Sequence, residues 1–208
     1  MRVEEFDKLT DHSPGMDLFY NFALETSKKV DETLPFVEIG VRLGGSSLYL
    51  LKAIKDSGKI KRPLVTIDPY GEIPYEFKVG NIKTKAVYTE SFYRTALKEL
   101  SNYCYQNNLL HINFKITSED FINIFPLIKV WNEGKIIPEN FGFVYLDGSH
   151  EEKVVAMELD YFLPKVCSGG ILVIDDFPAV MDSKIEIIQH TLRNGKHDYF
   201  QRMYYFKN

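Results

Sequence analysis

Short apolar runs recur along this chain, and most stop at a glycine or an acidic residue. Phe36–Ile39 runs into Gly40, Pro63–Ile67 into Asp68, and residues 111–116 into Ser118-Glu119-Asp120. Phe141–Leu146 ends at Asp147, and residues 171–174 end at Asp175-Asp176. Runs this short, rich in β-branched and aromatic residues, read as strands. They are apolar on both faces, so helices must cover the sheet on both sides. Segments with helical spacing lie between them, at about 46–55, 90–107 and 152–163. Strand and helix in alternation predict a doubly wound, mostly parallel α/β sheet with right-handed crossovers.

The chain reads as a single domain over residues 1–208, with no repeat, low-complexity tract or linker. Residues 1–30 read as an arm followed by a helix, on which Leu18, Phe19, Phe22 and Leu24 pack beside the first strand. Residues 71–88 carry three lysines and three aromatics without a clean period. A stretch of that length without strong structure is expected to be a lid or substrate loop. Cys167-Ser168-Gly169-Gly170 reads as a turn into the strand at 171–174. Beyond Phe177 the pattern gives a polar helix near 182–193 and one aromatic strand near 199–206, a shortened C-terminal end.

At 208 residues the chain is long enough for a substantial core, and its 45% hydrophobic content is that of an ordinary globular domain. A formal charge of −4 without a basic block argues against nucleic acid or an anionic membrane as partner. Two cysteines in unlike contexts, Cys104 and Cys167, fit reduced thiols better than a disulfide framework. No apolar stretch approaches the ~20 residues that span a bilayer, and residues 1–12 hold no signal-peptide core. A cytoplasmic location follows as the expectation, with a homodimer possible.

In a doubly wound sheet, ligands bind beyond the carboxyl ends of the strands, near the switch in strand order. After the first strand comes Gly40-Val41-Arg42-Leu43-Gly44-Gly45-Ser46-Ser47, a glycine loop opening a helix. Such a loop lets backbone approach a ligand and points free N–H groups at it; the plainer reading is a tight turn. Glu38 inside the strand needs a partner if it is buried. Asp68, 28 positions after Gly40, can accept hydrogen bonds from a ribose diol or simply cap the turn before Pro69.

Asp147 and Asp175 should end neighbouring parallel strands about 4.8 Å apart. Two carboxylates ~4 Å apart repel by about 4 kcal/mol at an effective dielectric near 20. With Asp176 they would therefore take up a proton, pair with a cation or hold a metal. Their all-oxygen character favours a hard ion such as Mg²⁺. His150, three residues past Asp147, is placed to serve as a general base, or else to cap the following helix.

Together these residues resemble the class I S-adenosylmethionine-dependent methyltransferases, within them the group of catechol and macrocin-type sugar O-methyltransferases (methyltransferase family 24-like). The resemblance runs from Gly15-Met16 to Phe177 and is most specific over Asp147-Gly148-Ser149-His150, Gly169-Gly170-Ile171 and Asp175-Asp176-Phe177. It implies a cofactor site of Glu38, Gly40, Gly44, Gly45, Ser46, Ser47 and Asp68, with adenine contacts from Ser118 and Glu119, and with Asp147 also close. It implies a metal site of Asp147, Asp175 and Asp176. The catechol enzymes carry a lysine base where this chain has His150, which leaves His150 or Asp147 to accept the proton. Only 31 residues follow Phe177, room for one strand where the family fold usually has two.

The expected activity is an S-adenosylmethionine- and Mg²⁺-dependent O-methyltransferase acting on a hydroxyl of a small molecule, whether sugar, catechol or other metabolite. A nicotinamide-dependent oxidoreductase is the alternative enzyme, but Gly40, Gly44 and Gly45 miss the G-x-G-x-x-G spacing. A non-catalytic relic that binds the cofactor is the other alternative.

Overall fold

The computed structural model describes residues 15–71, 74–79, 82–132, 134–149, 151–175, 197–200 and 203–207. The five apolar runs become β1 (Phe36–Ile39), β2 (Pro63–Ile67), β5 (Leu110–Phe114), β8 (Phe141–Leu146) and β9 (Val166–Ile174). Helices α1 (Met16–Lys29), α2 (Gly45–Asp56), α3 (Glu90–Asn107), α4 (Ser118–Ile124) and α5 (Glu152–Phe162) alternate with them. Two further strands, β10 (His197–Phe200) and β11 (Met203–Lys207), complete a sheet ordered β10-β11-β9-β8-β1-β2-β5. β1 pairs in parallel with both β2 and β8, so the order reverses direction at the β1/β8 junction.

The sheet divides the core into two layers. Phe36, Leu64, Phe143 and Tyr145 face α1, α2 and α3, where Phe19, Leu48 and Leu100 meet them. Val37, Val65, Val144 and Leu146 face the other side, against Phe121 of α4 and Leu159 and Phe162 of α5. Alternate residues of one strand thus serve opposite layers, and both layers are closed to water. Among the described residues, no helix is long and apolar enough to cross a membrane. Cys104 and Cys167 are unbridged.

The structure corrects the sequence reading in three places. Residues 71–88 are not without strong structure: β3 (Pro74–Val79) and β4 (Ile82–Val87) pair as an antiparallel hairpin. Cys167 to Gly170 is not a turn but part of β9. Gly169 has φ +79°, and the pairing with β8 shifts register between Phe141 and Phe143, so the glycines mark a bulge. The tail supplies two strands rather than one. β11 pairs antiparallel with β9, and β10 with β11, meeting at Phe200 and Met203. The run 199–206 contains no Gly, Pro, Asn or Asp to announce its reversal, so its pattern reads as continuous. The short hairpin β6 (Trp131–Asn132) and β7 (Lys135–Ile136) was not anticipated. The expected arm at residues 1–13 and the polar helix near 182–193 lie outside the described residues.

Candidate active site

The carboxyl ends of the central strands are fastened to one another as a row. The Asp175 amide donates to Leu146 O (2.9 Å), Asp147 to Ile39 O (2.8 Å), Gly40 to Ile67 O (2.9 Å) and Asp68 to Phe114 O (3.1 Å). Each tip residue therefore takes its position from the strand beside it, and three acids stand along one edge. Gly40 has φ +84°, and a Cβ there would lie 2.1 Å from Asp147 O. Close passage of the β8 tip, more than approach of a ligand, is what excludes a side chain at Gly40.

Asp68 organises the loop that follows β1. Its Oδ2 accepts from the Val41 amide (2.8 Å) and the Arg42 amide (3.2 Å), and its Oδ1 from the Tyr70 amide (2.9 Å). Burial raises the Asp68 pKa, and these backbone donors oppose the rise. Tyr70, buried against the Tyr93 ring at 5.0 Å, sends its hydroxyl to Arg42 O at 3.0 Å. Arg42 (φ 51°) and Tyr70 (φ 42°) both sit in the left-handed region, strain that this network holds in place. A carboxylate has about four acceptor positions, so with three filled Asp68 retains about one for a ligand hydroxyl.

Glu38 faces the start of α2. It is wholly buried, and the Ser46 and Ser47 hydroxyls donate to its two oxygens. Burial pushes its pKa up to about 7, opposed by the two serines and reinforced by Asp68. Glu38, Ser46 and Ser47 thus fix the first turn of the helix from behind. Gly44, at φ 84°, is the N-cap and puts no side chain across that turn. Gly45 is the first helical residue, so the N-terminal amides of α2 have no side-chain cap.

At the neighbouring tips, Asp175 is buried and Asp147 half-buried. A residue that the sequence reading passed over joins them. The Tyr145 hydroxyl donates to Asp175 Oδ2 at 2.6 Å and lies 3.4 Å from Asp147 Oδ2. Burial, then the charges of Asp147 and Asp175, hold the Tyr145 pKa well above that of an ordinary phenol. Its signal was available: a tyrosine in a strand buried on both faces needs a polar partner, and residue 147 shares its face. Ser118 is buried at the start of α4, where Thr117 accepts from the Asp120 amide as N-cap, while Glu119 is exposed. His150 and Asp176 lie outside the described residues.

Two carboxylates from adjacent strands converge on one hydroxyl and supply oxygen donors of the kind a hard divalent cation takes. By donor chemistry the described part of the site fits such an ion. Among the described residues, no group of three or more His, Cys, Asp or Glu side chains has metal-binding geometry.

The sequence from 37 to 177 matches a family profile described as a methyltransferase domain. No curated protein matches the sequence. Among solved structures, the O-methyltransferase TomG from Streptomyces achromogenes, involved in tomaymycin synthesis and bound to SAM, is 16% identical. That match covers 99% of this chain and 86% of TomG with a TM-score of 0.56. The Bacillus cereus O-methyltransferase in complex with SAH is 12% identical, covering 99% and 87% with a TM-score of 0.57. The calicheamicin methyltransferase CalS11 is 13% identical, covering 99% and 90% with a TM-score of 0.63. At these identities the likeness is one of fold, and it extends over nearly the whole chain. Because the family profile spans the glycine loop, Asp68, Asp147 and Asp175 together, the chain belongs to the methyltransferase-domain family, as a class I S-adenosylmethionine-dependent enzyme.

Proposed function

We propose that this enzyme transfers the methyl group of S-adenosylmethionine to a hydroxyl of a small molecule, with a divalent cation at the strand tips. The row of tips carries the reading: Gly40, Asp68, Asp147 and Asp175 are locked edge to edge, with acids on both sides of the β1/β8 switch. The O-methyltransferase names of the structural neighbours support oxygen as the acceptor atom.

Each residue has a distinct task. The uncapped amides of α2 are suited to the carboxylate of the methionyl portion, as helix N-termini are to anions generally. Asp68 accepts from the ribose diol while it keeps Val41 and Arg42 in place. Ser118 and Glu119 border the adenine. Glu38, bound to Ser46 and Ser47, sets the first turn of α2 at the cofactor site. Asp147 and Asp175, with Asp176, would hold the cation, which when bound lowers the pKa of an acceptor hydroxyl. The hydroxyl loses its proton to His150 or Asp147, and an oxygen–carbon bond replaces the sulfur–carbon bond. Positioning and exclusion of water supply much of the rate gain, and the hairpin of β3 and β4 serves as the lid that selects the acceptor.

Calorimetry with S-adenosylhomocysteine tests the cofactor site directly. Turnover of S-adenosylmethionine over a panel of sugars, catechols and other hydroxylated metabolites, with and without EDTA, tests the rest. Cofactor binding with EDTA-sensitive turnover is expected. Turnover indifferent to EDTA removes the cation from the proposal, and turnover confined to amine or thiol acceptors removes the hydroxyl.

A further inference from the structure

β8 reads Phe-Gly-Phe-Val-Tyr-Leu, and Tyr145 carries its one side-chain polar atom. The ring belongs to the core: it is 1% exposed and lies 4.6 Å, centroid to centroid, from Phe19 of α1. A phenylalanine would make the same ring contacts, so packing explains the ring but not the oxygen. The hydroxyl emerges between the two acids that end β8 and β9, 2.6 Å from Asp175 Oδ2 and 3.4 Å from Asp147 Oδ2.

A phenol has one proton, and the shorter contact takes it. Asp175 is therefore oriented by a short hydrogen bond from a rigid donor, and its Oδ2 is turned toward the Tyr145 hydroxyl. A rigid ring wedged against α1 cannot follow the Asp175 carboxylate if it moves, so it sets where that carboxylate rests. Carboxylates near one another would otherwise swing apart, because their charges repel. Partners of this kind orient metal ligands in many sites, and their removal weakens metal affinity by about 10–100-fold.

We propose that Tyr145 is a positioning residue for the divalent-cation site, its hydroxyl holding the Asp175 carboxylate in place beside Asp147. This rests on the cation reading given above. Tyr145→Phe keeps the ring and removes only the oxygen. The full chain, saturated with S-adenosylhomocysteine, is titrated with Mn²⁺ and unbound Mn²⁺ is followed by electron paramagnetic resonance. S-adenosylhomocysteine affinity is measured in parallel, and Asp147→Asn marks the site. Tyr145→Phe should bind Mn²⁺ about 10–100-fold more weakly with unchanged S-adenosylhomocysteine affinity, and Asp147→Asn should lose Mn²⁺ binding. Equal or tighter Mn²⁺ binding by Tyr145→Phe overturns the role of the hydroxyl and leaves the cation site standing. Parallel loss of both ligands reduces Tyr145 to a structural residue and also overturns it. If the unaltered protein takes up no Mn²⁺, the cation reading fails and the role of Tyr145 falls with it.

Discussion

The two edges of the sheet both bury charge, and they do so in opposite ways. At the amino edge, Arg62 immediately before β2 is wholly buried. Its guanidinium donates to Leu34 O (2.5 Å), Val30 O (3.1 Å), Ser27 O (3.2 Å) and Ser27 Oγ (3.3 Å), and it lies 4.7 Å from the Phe36 ring. Ser27 and Val30 stand at the C-terminal end of α1, where carbonyls lack helical partners and a cation is favoured. At the carboxyl edge the buried charges are acids, Glu38, Asp68 and Asp175, held by amides and hydroxyls. Each edge also has a glycine making room. A Cβ on Gly142 would reach 3.1 Å from Arg62 Nη1, and one on Gly40 would collide with Asp147 O. Burial of a charge therefore does not by itself mark a site. The amino edge commits one cation to internal carbonyls that staple α1 to β1. The carboxyl edge lines up acids from successive strands where a ligand can meet them.

If that contrast is right, the largest loss of stability comes from the edge without chemistry. Arg62→Met should cost about 3–5 kcal/mol, since it leaves several buried carbonyls without a donor. Arg62→Lys should recover little, because one ammonium cannot replace a fork of donors. Urea melts measure the loss, and S-adenosylhomocysteine affinity of the folded fraction should be unchanged. A large loss of affinity at equal stability would break the division between the edges. Gly40→Ala should follow at about 3 kcal/mol, combining a left-handed backbone with overlap at the β8 tip. Unlike Arg62→Met, it should weaken cofactor binding in the molecules that still fold.

Asp68→Asn is the sharper test of the carboxyl edge. It replaces one acceptor oxygen by an NH₂ group facing backbone amides, at about 1.5–3 kcal/mol for a charge-assisted bond. S-adenosylhomocysteine binding should weaken about 10–100-fold, the loss of a charge-assisted bond to the ribose. Unaltered affinity in calorimetry would mean that Asp68 serves only its own loop.

What the sequence disclosed follows the same division. Strands, helices and acids at the carboxyl edge were legible because apolar runs and the residues that end them are local patterns. Asp68, Asp147 and Asp175 were found for that reason. Arg62 was not singled out, because its partners are carbonyls, which every residue has and no sequence displays. Tyr145 was passed over because aromatic residues in a buried strand read as filling. For Glu38 the bonds from Ser46 and Ser47 were not legible, because their alignment with it depends on how α2 leaves the loop. The β9 bulge and the terminal hairpin were misread because pairing partners, rather than local residues, decide where a strand bends or reverses.

One buried charge belongs to neither edge, and it gives the smallest and most specific prediction. Glu158 of α5 is 1% exposed, and neither carboxyl oxygen has a hydrogen-bond partner among the described residues. Burial pushes its pKa up to about 7; the Ser118 hydroxyl favours the charged form somewhat without completing a hydrogen bond in good geometry. The folded protein therefore holds this proton to higher pH than the unfolded chain does. The resulting stability is full below the ordinary glutamate range, declines as pH rises toward 7, and is gone above it. Glu38 shifts in the same direction, so the protein should melt at a higher temperature at pH 5 than at pH 8 from these two groups. Glu158→Gln removes one of them, and at pH 8 it should be more stable than the parent by about 1–2 kcal/mol, a rise in Tm of several degrees. Its Tm should also vary less between the two pH values. A parallel pH profile for parent and Glu158→Gln would show that the carboxyl finds a donor on folding and is as well served as the acids of the carboxyl edge.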